Sequence, residues 1–66
     1  MISFTAAYYG LDRFGRWTVM LCREWMQPGG GRSGGVTERF IECKDEASAK
    51  RTAYGLKADF VRTLVH

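Results

Sequence analysis

The chain has 66 residues and a formal net charge of +3, with ten Lys and Arg against seven Asp and Glu. Its apolar fraction of 45% and charged fraction of 26% are those of a folded globular domain and argue against disorder. This length excludes a TIM barrel, a doubly wound nucleotide-binding fold and a two-domain enzyme, so we expect one domain over residues 1–66.

Residues 2–9 predict the first strand. They alternate, are rich in β-forming side chains and stop at Gly10. The side chains expected on one face of this strand are Ile2, Phe4, Ala6 and Tyr8. Residues 10–15 carry Gly at both ends with Asp12 between them, which predicts a turn.

Residues 16–26 predict a second strand, antiparallel to the first. Its better core face carries Trp17, Val19 and Leu21, and we expect Ile2 and Phe4 to join that face. The other side of the sheet then carries a mixed set of side chains from the two strands, namely Ser3, Thr5, Ala7, Tyr9, Arg16, Thr18, Met20, Cys22 and Glu24.

Residues 27–35 contain five glycines and a proline, which predicts a long, flexible hairpin loop. A third strand is predicted at about 36–43. Its facing is ambiguous, because Phe40 and Ile41 are adjacent and cannot both point into one core. A β-bulge would resolve that conflict.

From Asp45 the pattern changes to that of a helix. Asp45 and Glu46 suit a first helical turn, and Gly55 falls within the helix, where we expect another element to come close. The predicted apolar stripe recurs at spacings of three and four and comprises Ala49, Ala53, Leu56, Phe60 and Leu64. The predicted fold class is α+β: a three-stranded antiparallel sheet with one C-terminal helix packed on one face, in the order β-β-β-α.

Arginines on the predicted sheet and its loops indicate nucleic-acid binding. They are interleaved with aromatic residues, and arginine contacts phosphates and guanine edges while aromatic rings stack on bases. The predicted nucleic-acid-binding residues are Arg13, Arg16, Arg23, Arg32 and Arg39. The positive net charge fits a nucleic-acid partner, and we expect DNA rather than RNA.

A second hypothesis is that the chain docks on another protein. Trp25 and Met26 stand at a strand end beside the glycine-rich loop, where an exposed pair would form an interaction hot spot. Arg32 at the loop apex and Tyr9 on the sheet complete the predicted contact set. A third alternative is homodimerisation through the side of the sheet that the helix leaves uncovered.

Catalysis, cofactors and metals find no support in the sequence. His66 is the only histidine, so no Ser–His or Cys–His pair is available inside the chain. Cys22 and Cys43 are too few for a disulfide scaffold, and we expect them to be thiols. Residues 29–34 match the letters G-x-G-x-x-G, but a strand rather than a helix follows. We expect a non-enzymatic protein without a cofactor or a bound metal.

The sequence predicts a cytoplasmic protein of a bacterial or phage-infected host cell, with no membrane partner. No segment reaches the roughly 18 consecutive apolar residues of a membrane helix. Residues 1–4 lack the basic and then apolar pattern that opens a signal peptide.

Three short segments resemble the AP2 and phage-integrase N-terminal (arm-binding) families. In those families a Gly-x-Trp opens a central strand, the third strand is basic, and Glu-Ala stands near the helix start. The matching segments are Gly15-Arg16-Trp17-Thr18-Val19, Arg39-Phe40-Ile41 and Glu46-Ala47. The resemblance covers residues 15 to about 60. It implies a three-stranded sheet that reads the DNA major groove through Arg16, Arg23 and Arg39.

Two further resemblances are less extensive. The β-β-β-α order with its Ala49–Ala53 segment is similar to the later part of a double-stranded-RNA-binding domain. In style the chain is similar to small phage accessory proteins, including anti-CRISPR-type inhibitors. That likeness implies docking on a host protein complex and its inhibition.

Overall fold

A four-stranded sheet with one helix on one side forms the structure, a computed structural model that describes residues 2–27, 29 and 33–64. The elements are β1 (Ile2–Leu11), β2 (Trp17–Met26), β3 (Ser33–Cys43), α1 (Glu46–Gly55) and β4 (Phe60–Thr63). The strand order is β3-β2-β1-β4. The α+β class is confirmed, but the three-stranded antiparallel sheet is wrong, because β4 pairs parallel to β1 and makes the sheet mixed.

The helix is shorter than the sequence predicts. It ends at Gly55, and Lys57 has a positive φ of 56°, which no helix continues through. Phe60 and Leu64 therefore do not extend the helical stripe. A spacing of four is even, so it also fits one face of a strand, and the apolar pattern could not tell the two apart. The expected close approach at Gly55 is also wrong, because a Cβ there would meet nothing within 4 Å.

The start of α1 is fixed by a side-chain cap. Asp45 is the N-cap, and its Oδ1 accepts a hydrogen bond of 2.8 Å from the Ser48 backbone N–H. That bond holds the pKa of the Asp45 carboxyl below its ordinary value of 3.8. Asp45 therefore lies just outside the first turn in which it was predicted, and Glu46 is the acidic residue of that turn.

The predicted facing of β1 is wrong. Tyr9 pairs with Val19 and Ala7 pairs with Leu21, so the odd-numbered residues of β1 share a side with the core residues of β2. Ile2 and Phe4 lie on the opposite side. The alternation of β1 is weak because its centre holds two alanines followed by two tyrosines, and the register across the turn decides the outcome.

The core between sheet and helix is made of small side chains. Ala7, Val19, Ala49 and Ala53 form a fully buried cluster. Around that cluster pack seven half-buried side chains, namely Tyr9, Trp17, Ile41, Cys43, Leu56, Ala58 and Val61. Small residues let the backbones of α1 and the sheet approach closely, but they leave most large apolar side chains elsewhere in the molecule.

A bulge in β3 settles the facing that the sequence left open. The register shifts so that Leu21 pairs with Arg39 while Cys22 pairs with Thr37, which makes Glu38 the additional residue. Beyond it Ile41 packs against the core beneath the helix. Phe40 points to the other side of the sheet and is 62% exposed. The strand also begins at Ser33, earlier than predicted.

No helix in the described part of the chain is long and apolar enough to cross a membrane.

Candidate nucleic-acid interface

The helix covers only part of its side of the sheet. At about 1.5 Å per residue, the ten residues of α1 span about 15 Å. The ten residues of β2 span about 33 Å. The β2 residues that pack with the helical core are Trp17 and Val19, both from the first third of the strand. The second half of β2, together with the paired starts of β1 and β3, therefore extends past α1 as a three-stranded ribbon.

One side of this ribbon brings together three residues that the sequence singled out. Arg23 and Trp25 follow Val19 at even spacing on β2 and so share its side of the sheet. Across the strand, Arg23 pairs with Val36, Trp25 with Gly34 and Leu21 with Arg39. We call this patch the Trp25 surface, and its members are Arg23, Trp25, Gly34, Val36 and Arg39.

Trp25 lies directly against its glycine partner. A Cβ built on Gly34 would approach Cζ2 of Trp25 to 2.9 Å and its Nε1 to 3.0 Å, which is closer than real Cβ atoms come. The absence of a side chain at Gly34 thus makes room for the half-buried indole. A hollow of about 300 Å³ at this end of the sheet is lined by Trp25 and Gly34 and also by Phe4, Glu24 and Met26, whose side chains belong to the other side of the sheet.

The two arginines of the Trp25 surface differ in their partners. Arg23 donates from Nε to Oε1 of Glu38 at 2.7 Å, and its side chain is half exposed. Arg39 is exposed and forms no salt bridge with any other described residue. Glu38 is the bulge residue, so the irregularity of β3 is what carries a carboxylate to Arg23.

The other predicted arginines lie elsewhere. Arg16 is on the opposite side of the sheet, 3.6 Å from Glu42 in an exposed pair. Such pairs contribute little to stability. Arg13 is exposed in the turn between β1 and β2. Arg32 lies outside the described residues.

The predicted protein-contact residues are also separated. Trp25 and Met26 are consecutive on one strand, so they point to opposite sides of the sheet. Tyr9 is half-buried and packs against the helical core. Of that predicted set, Trp25 alone lies on the Trp25 surface among the described residues.

The side of the sheet that faces away from α1 is a second exposed surface, and we call it the open face. Its residues come from all four strands and are mostly large and apolar or uncharged, namely Ile2, Phe4, Ala6, Tyr8, Thr18, Met20, Cys22, Glu24, Met26, Thr37, Phe40, Glu42, Phe60 and Arg62. The sequence reading missed this apolar character because it assigned Ile2 and Phe4 to the core. The available signal was an aromatic residue in each of three strands, namely Phe4 and Tyr8 in β1, Phe40 in β3 and Phe60 in β4.

Contacts between neighbouring strands order the open face. The rings of Phe4 and Phe60 meet edge to face with centroids 5.3 Å apart, and the Arg62 guanidinium lies 5.3 Å from the Phe60 centroid. The Tyr8 hydroxyl donates to Oε2 of Glu24 at 2.6 Å. That hydrogen bond is the main reason that the pKa of Tyr8 is raised above 10.0.

A cleft opens where the open face meets the β1–β2 turn. Its volume is about 310 Å³, and its lining includes Phe14, Met20, Phe40 and Leu64. At the turn, Asp12 accepts hydrogen bonds from the backbone N–H groups of Arg16 and Phe14, which hold its pKa below 3.8. The lining of the cleft is therefore mixed, because Asp12, Arg13 and Thr18 stand beside its apolar residues.

No reactive constellation stands out in the described part of the chain. There, no group of three or more His, Cys, Asp or Glu is placed to hold a metal ion. Cys22 and Cys43 are free thiols, and each has a threonine hydroxyl within 4 Å.

In comparisons with known proteins, no family model, curated protein or solved structure matches this chain.

Proposed function

We propose that the chain is a small, non-enzymatic module that binds nucleic acid, DNA in the first place, through the Trp25 surface and the adjoining glycine-rich hairpin. One observation carries the proposal: Arg23, Trp25 and Arg39 lie on one side of a three-stranded ribbon that extends past the helix. Three strands spaced by about 4.8 Å are about 10 Å wide between their outer axes, and the DNA major groove is about 12 Å wide. Arg32, within the same hairpin, adds a further cation.

The side chains of the ribbon have different roles in the proposed binding. Arg39 has no salt-bridge partner among the described residues, so its guanidinium is available for a phosphate or a guanine edge. Arg23 contacts the same strand of nucleic acid at the cost of its bond to Glu38. Trp25, fixed against Gly34, presents an apolar surface to a base or a sugar.

The test is fluorescence anisotropy of labelled duplex DNA, duplex RNA and single strands across a salt series. We expect micromolar binding whose log K falls linearly with log salt, at a slope of roughly −3 to −5 for several phosphate contacts. Arg39→Ala should weaken binding about tenfold or more, since a good arginine contact contributes about 1–3 kcal/mol. Arg16→Ala is the matched control, because Arg16 is paired on the other side of the sheet.

No binding at low salt, or equal losses in the two variants, would remove the nucleic-acid proposal. A preference for single strands would still support the Trp25 surface as the binding site. The binding mode would then be base stacking on Trp25 rather than insertion of the ribbon into a groove.

A second candidate function is docking on a host protein complex, in the manner of a phage-encoded inhibitor. It is supported by the combination of a half-buried Trp with exposed Arg on one surface, since these are the residue types enriched in interface hot spots. Docking predicts that Trp25→Ala costs more affinity than Arg39→Ala and that salt has little effect. A pull-down from a host lysate with Trp25→Ala and Arg39→Ala side by side shows which substitution costs more affinity. In either case we propose a cytoplasmic location, where Cys22 and Cys43 remain reduced.

A further inference from the structure

The open face leaves large apolar side chains in water. Phe40 is 62% exposed, Met26 54% and Phe60 46%, although all three lie on the sheet rather than in loops. The buried side chains of the domain are small by comparison, and the largest that are fully buried are Val19 and Thr18. The molecule therefore places its small residues inside and much of its large apolar surface on one flat side, which is the pattern of an interface rather than of a monomer surface.

The charges of the open face cancel. Its two carboxylates are Glu24 and Glu42, and its cations are Arg62 and, at its end, Arg16. Each carboxylate also has a partner within the chain, Tyr8 for Glu24 and Arg16 for Glu42. The excess positive charge of the protein lies outside this face. A polyanion finds no net attraction there, and a second copy of the chain meets no net repulsion.

The dimensions of the face reach the lower size limit of a specific protein contact. Three strands about 33 Å long, spaced by about 4.8 Å, with the short β4 beside them, give a flat footprint of roughly 500 Å². Two such faces together bury about 1,000 Å² before side-chain relief is counted, which reaches the threshold for a specific interface.

The heights of the side chains on the open face suit packing against a second open face. Ala6 and Cys22 form a low, buried row across its centre, and larger residues stand on both sides of that row. Phe60 stands at the end of that row beside Ala6 and contacts Phe4 on one side of it, and Met20 and Phe40 stand on the other side. Two sheets that pack face to face interdigitate such ridges and hollows at a separation of about 10 Å.

We propose that the occupant of the open face is a second copy of this chain, and that the protein is a dimer of two sheets packed through their open faces. Each copy then keeps its own Trp25 surface exposed on the outside. The dimer does not depend on nucleic-acid binding, because the two surfaces lie on opposite sides of the sheet.

Sedimentation equilibrium of the full chain over roughly 1–100 µM tests the proposal. We expect a mass of twice 7.5 kDa at the upper concentrations, unchanged by high salt. Phe40→Glu should raise the dimer dissociation constant by at least about 30-fold, the effect of losing a hot-spot side chain. Tyr54→Glu is the control, because Tyr54 is similarly exposed, at 58%, but lies on α1.

A monomer at every concentration would overturn the proposal, as would a dimer that both substitutions weaken equally. Loss of nucleic-acid binding in a monomeric Phe40→Glu variant, with the unmodified chain also monomeric, would assign the open face to nucleic acid instead. Should Phe40→Glu fail to fold, the unmodified chain still distinguishes a dimer from a monomer. Its urea midpoint must rise with protein concentration for a dimer and stay constant for a monomer.

Discussion

Thr5 and Asp59 are joined by three hydrogen bonds although 54 positions separate them in the chain. The Thr5 backbone N–H and hydroxyl both donate to Oδ2 of Asp59, at 2.8 and 3.1 Å. In return the Asp59 backbone N–H donates to Oγ1 of Thr5 at 3.1 Å. This reciprocal contact stands immediately before the parallel pairing of Ala6 with Phe60, and it fixes where β4 joins the sheet.

Asp59→Ala removes the acceptor of that contact. We expect β4 to be loosened and the free energy of unfolding to fall by roughly 1–2 kcal/mol, the usual effect of losing such hydrogen bonds. Urea denaturation measures the loss, and hydrogen exchange locates it in β4. Asp59→Asn retains one side-chain oxygen and should lose less. Unchanged exchange in residues 60–63 would contradict the role of Asp59.

Gly34→Val places a side chain where the Trp25 indole now lies. The indole must move, because the added Cβ alone would come within 2.9 Å of Cζ2. We expect a shift in tryptophan fluorescence and weaker nucleic-acid binding, with α1 and its core intact by circular dichroism. Gly55→Ala is the matched control, since a Cβ there has open space and should stabilise the helix by at most about 1 kcal/mol. Full binding by Gly34→Val would show that the position of Trp25 is irrelevant.

Glu38→Gln is expected to strengthen nucleic-acid binding several-fold. The substitution removes the carboxylate that neutralises Arg23 at 2.7 Å and that repels phosphate on the Trp25 surface. The salt dependence should become steeper by about one counterion, since one more cation is free to meet a phosphate. Glu42→Gln makes the same change beside Arg16 on the open face and should leave affinity nearly unaltered. Equal effects of the two substitutions would mean that only net charge matters.

Stability should decline in acid below about pH 4. Asp12 and Asp45 both have pKa values lowered from 3.8, chiefly because they accept backbone hydrogen bonds from Arg16 and Ser48 respectively. A carboxyl with a lowered folded pKa stabilises the fold above its unfolded pKa, and this contribution is lost as pH falls through the folded pKa. Thermal unfolding at a series of pH values measures the decline. Asp45→Asn keeps an N-cap oxygen but does not titrate, so its melting temperature should fall less steeply with pH.

Local sequence pattern was a good guide to β2 and to the start of α1. Trp17, Val19 and Leu21 alternate clearly enough to place one face of β2, and Asp45 marks the beginning of the helix. The pattern failed where a helix and a strand place apolar residues at the same spacing. Phe60 and Leu64 lie four residues apart, which satisfies a helix and a strand alike, and the tertiary contact of Asp59 with Thr5 decides for the strand.

The composition of the candidate surfaces depended on pairings that no local rule supplies. Arg23 and Arg39 meet on one side because the Glu38 bulge sets the register of β3. Phe4 lies on the open face because the turn pairs Leu11 with Trp17, and this fixes the parity of β1. A shift of one residue in either place would have sent these side chains to the other side of the sheet.

The parallel pairing of β4 with β1 has a consequence for the order of events during synthesis. Residues 2–43 can form three strands while the chain is still emerging from the ribosome, but Phe60–Thr63 cannot pair until α1 and the residues after it have emerged. Until then the outer edge of β1 has unpaired backbone groups beside exposed apolar residues, a combination that invites association between nascent chains. It is β4 that closes that edge, so termination of synthesis before residue 60 would release a chain that is prone to aggregate.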